Sequence, residues 1–523
     1  MINLVDILDA SANAHPDKVA MRFKDRSFTF SDVKDRVDRL AGALADRGTE
    51  RRGHVAVITP NTSACIEIVF ACARLGAVCE QYNTRLSALS IVGLLRRSDA
   101  RIVFLSCAMY DVLKDHLESV GRPLTLVLLD GVAGDEAAKA RAVAIADGVD
   151  AFDYENVLAE AEPLEAAADV SASDAVIMLY TSGTTGMPRG VLLSHEALLA
   201  RIEIDTKEMW FTPDDVSLSV LPLFHVTCVT AFVTVANGAE LVIADSHKPE
   251  DVAAMIRTYG VTRVGLVPFL LRALADYVER NDIGIDTLRL IVYGGEPISL
   301  DLLTRCQKLL KCDFLQGYGM TETSSAITML TPEHHKNPRL LSTVGTVVPG
   351  MELKVVDRTG KTCPPEIAGE VLVKTRTLMS GYYRDPERTD DVIRDGWYCT
   401  GDIGILDEEG FLTLVDRKNN LVITGGENVY PLEVGRCIEA MGDDIVDVVV
   451  IGIPDAVWGE TLAAVVVRKE GSDVTEADIV AHCAHRLGGY KKPRKVLFVD
   501  SLVRNASGKV PKDYLEKIKE QLM

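Results

Sequence analysis

One stretch limits what this chain can fold into more than any other. Residues 176–180 form an apolar run of strand character. They pass without a break into Thr181-Ser182-Gly183-Thr184-Thr185-Gly186-Met187-Pro188-Arg189-Gly190-Val191. Glycines let the backbone turn tightly and approach a ligand. Hydroxyls and exposed N–H groups then wrap an anion, and Arg189 adds positive charge. The order Gly-x-x-x-x-Gly-Lys-Ser/Thr is absent, so the loop is not a Walker A motif. Its length and its density of glycine and hydroxyl argue for a phosphate cradle over a plain surface turn.

The surroundings of the loop alternate between strand and helix patterns. Residues 31–47 place Val33, Val37, Leu40 and Leu44 on one helical face, with Ser31 as cap and Gly48 as stop. A second helix spans 64–74 and ends near Gly76. Buried strands are read at 54–59, 102–105, 124–129, 241–244, 264–267 and 290–293. This predicts an α/β fold with partly parallel sheets. The Ala-rich, acidic residues 133–170 read as surface helix and loop. From about 345 to 416 the pattern changes to short strands, with hairpin signals at Asp395-Gly396 and Glu409-Gly410. The polar cluster Asp416-Arg417-Lys418-Asn419-Asn420 marks a boundary. It divides a large domain, 1–416, from a small α+β domain, 417–523, with strands at 446–453, 462–467 and 496–499. A chain of 523 residues is too long for one compact core, which fits that division.

The net charge is −20, and an acidic chain repels phosphate backbones, so nucleic acid is excluded as a partner. The acidity reads as solubility. Eleven cysteines include no CxxC pair, and the first residues lack a basic, apolar signal. No stretch is apolar enough to span a bilayer. A cytoplasmic protein with free thiols follows, with peripheral membrane contact and a homodimer left open.

Further motifs follow the loop in a fixed order. They are Pro222-Leu223-Phe224-His225, Gly317-Tyr318-Gly319-Met320-Thr321-Glu322, Tyr398-Cys399-Thr400-Gly401-Asp402, Asp416-Arg417-Lys418, Gly425-Gly426-Glu427-Asn428-Val429-Tyr430-Pro431 and Arg504-Asn505-Ala506-Ser507-Gly508-Lys509. In this order the chain resembles, over nearly its whole length, the adenylate-forming superfamily, in its AMP-forming acyl-CoA synthetase branch.

The resemblance implies ATP, Mg²⁺ and coenzyme A as cofactors. It implies that Thr181–Gly186 and Arg189 hold the β- and γ-phosphates. Tyr318 stacks on adenine beside Gly295, Glu296 and Pro297, in the run Gly317-Tyr318-Gly319-Met320. Thr321 reaches the α-phosphate, Glu322 and Thr181 serve Mg²⁺, and Asp402 and Arg417 take the ribose. Lys509 bridges the acyl carboxylate and the α-phosphate, and His225 lies beside the carboxylate pocket. The small domain is expected to turn about Lys418-Asn419 between two half-reactions. That turn brings Gly425, Gly426, Glu427 and Lys491 to coenzyme A.

Gly425–Pro431, Trp458-Gly459-Glu460 and Tyr490-Lys491-Lys492-Pro493 are most similar to stand-alone acid–CoA ligases. No carrier domain follows Met523, which argues against a peptide-synthetase module. The acyl pocket is expected around His225, Val226, Val229, Val267, Phe269, Gly294 and Gly317. It is mostly apolar and has no arginine to meet a second carboxylate, so a monocarboxylic acid with an apolar tail or ring is favoured. Glu296 stands where many relatives carry Ala, and Arg189 where they carry Lys. A carboxylate turned into the pocket would favour a carnitine-like acid. An enzyme that loads a carrier protein is the other alternative.

Overall fold

The computed structural model describes the chain except residues 130–149, 165, 182–187, 425–426, 443, 505–509 and 523. Ser182, Gly183, Thr184, Thr185, Gly186, Gly425, Gly426 and Lys509 therefore lie outside the described residues, as does 133–149 of the acidic segment.

Two large sheets form the main body. In the nine-stranded sheet, Val19–Phe23, Glu240–Ile243, Val216–Ser219, Arg263–Leu266, Leu290–Gly294 and Asp313–Met320 run parallel and in that spatial order. In the eight-stranded sheet, Ala175–Thr181, Val78–Gln81, His54–Ile58, Ile102–Ser106, Thr125–Leu129 and Asp150–Asp153 do the same. Helices pack against these sheets, which is why their strands are continuous apolar runs and not alternating ones. A third, antiparallel sheet contains Met351–Val356, Gly369–Thr375, Ile393–Arg394, Trp397–Leu406 and Leu412–Arg417. Asp395 and Gly396, both left-handed with φ 51° and 76°, join two of these strands as a two-residue hairpin.

Two local expectations are corrected. The helix Phe30–Asp46 is capped by Thr29, not Ser31. Thr29 ends a strand in extended backbone and exchanges side-chain bonds with Asp32, so Ser31 falls inside the first turn. The second helix, Ser63–Leu75, ends as expected at Gly76, with φ 73°. In the acidic segment, Asp150–Asp153 pairs with Thr125–Leu129 as a sheet edge. The helix Tyr154–Glu160 buries Tyr154, Val157 and Leu158. The expected helix is thus present, but the segment also supplies a sheet-edge strand and buried side chains.

The carboxyl-terminal residues build a fourth sheet from Val422–Thr424, Glu427–Val429, Ile445–Asp455, Gly459–Arg468 and Lys495–Phe498. One face packs Val434, Ile438 and Ile479. The other packs Ile518 of the last helix, so this sheet has a core of its own. Asp416 ties the junction. Its carboxylate accepts N–H bonds from Arg417 (2.6 Å) and Leu432 (2.7 Å) and one from the Asn420 side chain (3.0 Å). Among the described residues no helix is long and apolar enough to cross a membrane.

Candidate active site

Four neighbouring parallel strands of the nine-stranded sheet release the chain at the same edge. Residues 221–225, 267–269, 295–297 and 321–322 follow Val216–Ser219, Arg263–Leu266, Leu290–Gly294 and Asp313–Met320. Crevices at the carboxyl ends of parallel strands are the usual ligand sites of open α/β sheets. The strand Ala175–Thr181 comes from the other large sheet, and Thr181 sits across from Arg189.

Each element at this edge is positioned by named contacts. Asn61 accepts from the Leu223 N–H (2.8 Å) and donates to the Leu221 carbonyl (3.1 Å), which fixes the stretch leading to His225. The His225 ring meets Phe224 edge-on at 4.7 Å. Val226 is half-buried, Val229 and Val267 are buried, and Phe269 is exposed. Gly294 lies so close to its neighbour that a Cβ would stand 2.3 Å from the Gly317 carbonyl oxygen. Gly295 is left-handed with φ 85°.

The turn at Thr321-Glu322 is strained and clamped. Ser324 and Ser325 follow it with φ 53° and 119°, a backbone that L-residues adopt at a cost. Ser324 Oγ donates to the Thr377 carbonyl (2.7 Å), and Thr377 Oγ1 donates to the Thr323 carbonyl (2.9 Å). Thr323 Oγ1 donates to the Ser325 carbonyl (2.8 Å). Ser324, Thr323 and Thr377 are all fully buried.

The same turn is stitched, through residues 379–382, to the strand Arg189–Ser194. Glu322 Oε1 accepts from the Tyr382 hydroxyl (2.9 Å), and the Glu322 carbonyl accepts from Met379 N–H (2.8 Å). Tyr382 pairs with Val191 in the sheet, and Arg189 lies over its ring at 5.9 Å. Burial and the Glu322 charge push the Tyr382 phenol well up, so it stays a donor at neutral pH.

Tyr318, Asp402 and Arg417 form a second cluster. Tyr318 donates to Asp402 Oδ2 (2.6 Å), and Arg417 Nε meets Asp402 Oδ1 at 2.9 Å. Burial, then the Asp402 charge, pushes the Tyr318 phenol up. Asp402 is 5% exposed and is oriented further by Thr400, whose hydroxyl accepts its N–H (3.0 Å).

The Glu296 carboxylate is taken up by two partners. Oε1 accepts from Phe269 N–H (3.0 Å) and Oε2 meets Arg504 (2.9 Å). The start of the helix Pro268–Asn281 attracts the carboxylate, as helix N-termini do. In the carboxyl-terminal sheet Glu427 is exposed, and Lys491 is paired with both Glu433 oxygens (2.7 and 2.9 Å).

The residue types suit Mg²⁺. Glu322 has a hard carboxylate with one oxygen held by Tyr382, and Thr181 offers a half-buried hydroxyl. No group of three or more His, Cys, Asp or Glu among the described residues is built to hold a metal. An ion there would draw its remaining ligands from phosphates and water, as Mg²⁺ commonly does. Tyr382, Thr377 and Ser324 escaped the reading of the sequence. Their partners are 53 to 60 residues away, and no spacing rule links them.

The chain is similar to known proteins over nearly its whole length. Residues 8–383 match the AMP-binding enzyme family, and 440–509 match the AMP-binding enzyme C-terminal domain. An indoleacetate–CoA ligase from Aromatoleum aromaticum is 32% identical over 99% of this chain and 98% of its own length. The fatty acid–[acyl-carrier-protein] ligase ScoC from Streptomyces coeruleorubidus is 31% identical over 97% and 94%. The crystal structure of ATP-bound MatB from Rhodopseudomonas palustris superposes with a TM-score of 0.88 at 29% identity, covering 100% of this chain and 99% of that one. The chain belongs to the AMP-binding enzyme family.

Proposed function

We propose that this chain is a cytoplasmic, ATP-dependent carboxylic acid–CoA ligase that works through an acyl-adenylate. The carrying observation is the convergence, at one edge of the parallel strands, of the Thr321-Glu322 turn, the Tyr318–Asp402–Arg417 cluster and the strand ends at Thr181 and Arg189. A carboxylate oxygen of the acid attacks the α-phosphorus of ATP, and the bond to the bridging oxygen of the β-phosphate breaks, releasing pyrophosphate. The thiol of coenzyme A then attacks the acyl carbonyl. The C–O bond to AMP breaks, and the thiol proton leaves to solvent.

Thr181–Gly186 and Arg189 hold the departing phosphates. Tyr318 offers its face to adenine, with the backbone of Gly295–Pro297 at its edge. Asp402 and Arg417 take the ribose. Glu322 and Thr181 would hold Mg²⁺, which neutralises phosphate charge as it builds. Lys509 supplies a fixed cation to the carboxylate and α-phosphate. Residues 417–523 then turn about Lys418-Asn419 and present 425–427 and Lys491 to coenzyme A, with Lys491 exchanging Glu433 for a phosphate.

The acid is a monocarboxylic one with an apolar tail or ring. The apolar side chains of Val226 and Val267 support this, as do relatives named for indoleacetate and fatty acid. Glu296 is taken up by Phe269 and Arg504, which weighs against a carnitine-like acid. ScoC gives the second reading, a carrier-protein thiol as acceptor.

Pyrophosphate and AMP release across a panel of acids, with and without coenzyme A, tests the proposal. Thioester from at least one acid is expected, and AMP release indifferent to coenzyme A would favour the carrier reading. Lys509→Ala should lose adenylate formation by about 10²–10³-fold yet keep thioester formation from supplied acyl-adenylate. Equal loss of both steps would refute the role.

A further inference from the structure

Arg504 lies between the strand Lys495–Phe498 and the last helix, Lys512–Leu522. Its guanidinium makes two bonds within its own region, Nη2 to Asp447 Oδ1 (2.7 Å) and Nε to Asp447 Oδ2 (3.1 Å). The third bond crosses to the large region, from Nη1 to Glu296 Oε2 (2.9 Å). The pair is sheltered, with 21% of the arginine side chain and 9% of the glutamate exposed. Charge-assisted bonds in such shelter are stronger and less screened than exposed ones.

Position gives the pair its meaning. Glu296 directly follows Gly295, at the carboxyl end of a central parallel strand. Arg504 stands just ahead of Lys509 in the chain. The bond therefore ties the arm that carries Lys509 to the loop proposed for adenine. The chemistry also lets the bond open. After separation Arg504 still has Asp447, and Glu296 still has the Phe269 N–H at a helix start. Neither charge is stranded without a partner, so the usual penalty for breaking a sheltered ion pair is reduced.

We propose that Arg504 is a positioning residue for adenylate formation, and that its pair with Glu296 is a latch that must open before thioester formation. This rests on the reading of Lys509 and of the turning of residues 417–523. In the closed state the latch holds Arg504, five residues before Lys509 in the chain, against Glu296. In the open state it contributes nothing to the second step.

The test uses the full chain and the best acid of the panel. Acid-dependent ATP–pyrophosphate exchange reads the first step, and thioester formation from the supplied acyl-adenylate reads the second. Glu296→Gln keeps an acceptor for Phe269 N–H and removes only the charge. Arg504→Ala removes the other partner. Each should slow exchange by about tenfold, and the double variant should be no slower than the worse single one. Thioester formation should fall less than exchange in all three, and Arg504→Lys should recover part of the exchange rate.

Unchanged exchange in the single variants, additive losses in the double variant, or equal loss of both steps would each overturn the latch. Lys509→Ala in the same assays separates the two levels. If it loses exchange alone while the latch variants match the parent, only the latch fails. If it keeps exchange or loses both steps, the underlying reading fails.

Discussion

The Thr321-Glu322 turn and the Arg504 arm approach the same edge of the sheet but are held by different chemistry. The turn is fixed by neutral hydrogen bonds among fully buried groups, Ser324 to Thr377 and Thr377 to Thr323, over a backbone in an unfavourable conformation. Opening any of them leaves a buried carbonyl or hydroxyl without a partner, which costs its full desolvation. Among the described residues the arm is held by a charged bond whose two ends each keep another partner. The first arrangement has a single low-energy state, and the second has two. A site that must hold phosphates still and also exchange one covering element for another needs both kinds.

The largest test of that contrast lies at Glu322. Glu322→Gln should keep the Tyr382 bond while removing the charge offered to Mg²⁺. Adenylate formation should fall by about 10²–10³-fold and need more Mg²⁺, read by titrating the ion against pyrophosphate release. An unshifted Mg²⁺ requirement would remove Glu322 from the metal. Next is Thr377→Val, which keeps shape but leaves the Thr323 carbonyl without its donor. Unfolding free energy should drop by about 1–3 kcal/mol in a denaturant titration. Adenylate formation should slow roughly tenfold through misplacement of the turn. Loss of stability with full activity would show that the clamp serves only folding.

The smallest effect is expected at Lys418–Glu370, another charged pair, at 2.8 Å with the lysine side chain 60% exposed. Lys418→Ala should change stability by less than about 0.5 kcal/mol in the same titration. A larger loss would mean that exposed pairs near the boundary also hold the regions together, and Arg504 would lose its distinction.

What could be read from the sequence was whatever depends on near neighbours. The helix ending at Gly76, the Asp395-Gly396 hairpin and the buried parallel strands are local patterns of period, turn residue and apolar run. Even there, the cap lies two residues before the expected Ser31: Thr29 caps the first long helix because it closes a strand in extended backbone, which Ser31 does not. Two of the motifs fall where parallel strands of the nine-stranded sheet end, at Thr321-Glu322 and Gly294-Gly295. The direction of a side chain was harder. Glu296 follows pocket-lining glycines in the chain, which suggested a carboxylate facing the acid. A helix start 27 residues upstream and an arginine 208 residues downstream turned it elsewhere. Tyr382 and Thr377 were invisible for the same reason: Tyr382 reaches Glu322 only when the two large sheets meet, and Thr377 reaches Thr323 and Ser324 only when the third sheet packs beside the nine-stranded one.

That meeting has a consequence for anyone recombining relatives of this chain. Asn61, after a strand of one large sheet, holds the stretch entering the acyl side of the other. Residues 379–383 are sewn to the strand Arg189–Ser194 on one side and to Glu322 on the other. A transplanted block running from residue 216 to residue 330 would carry the pocket but leave its moorings behind. Position 61 and residues 379–383 should be inherited with that block, as one unit of exchange scattered across three places in the chain.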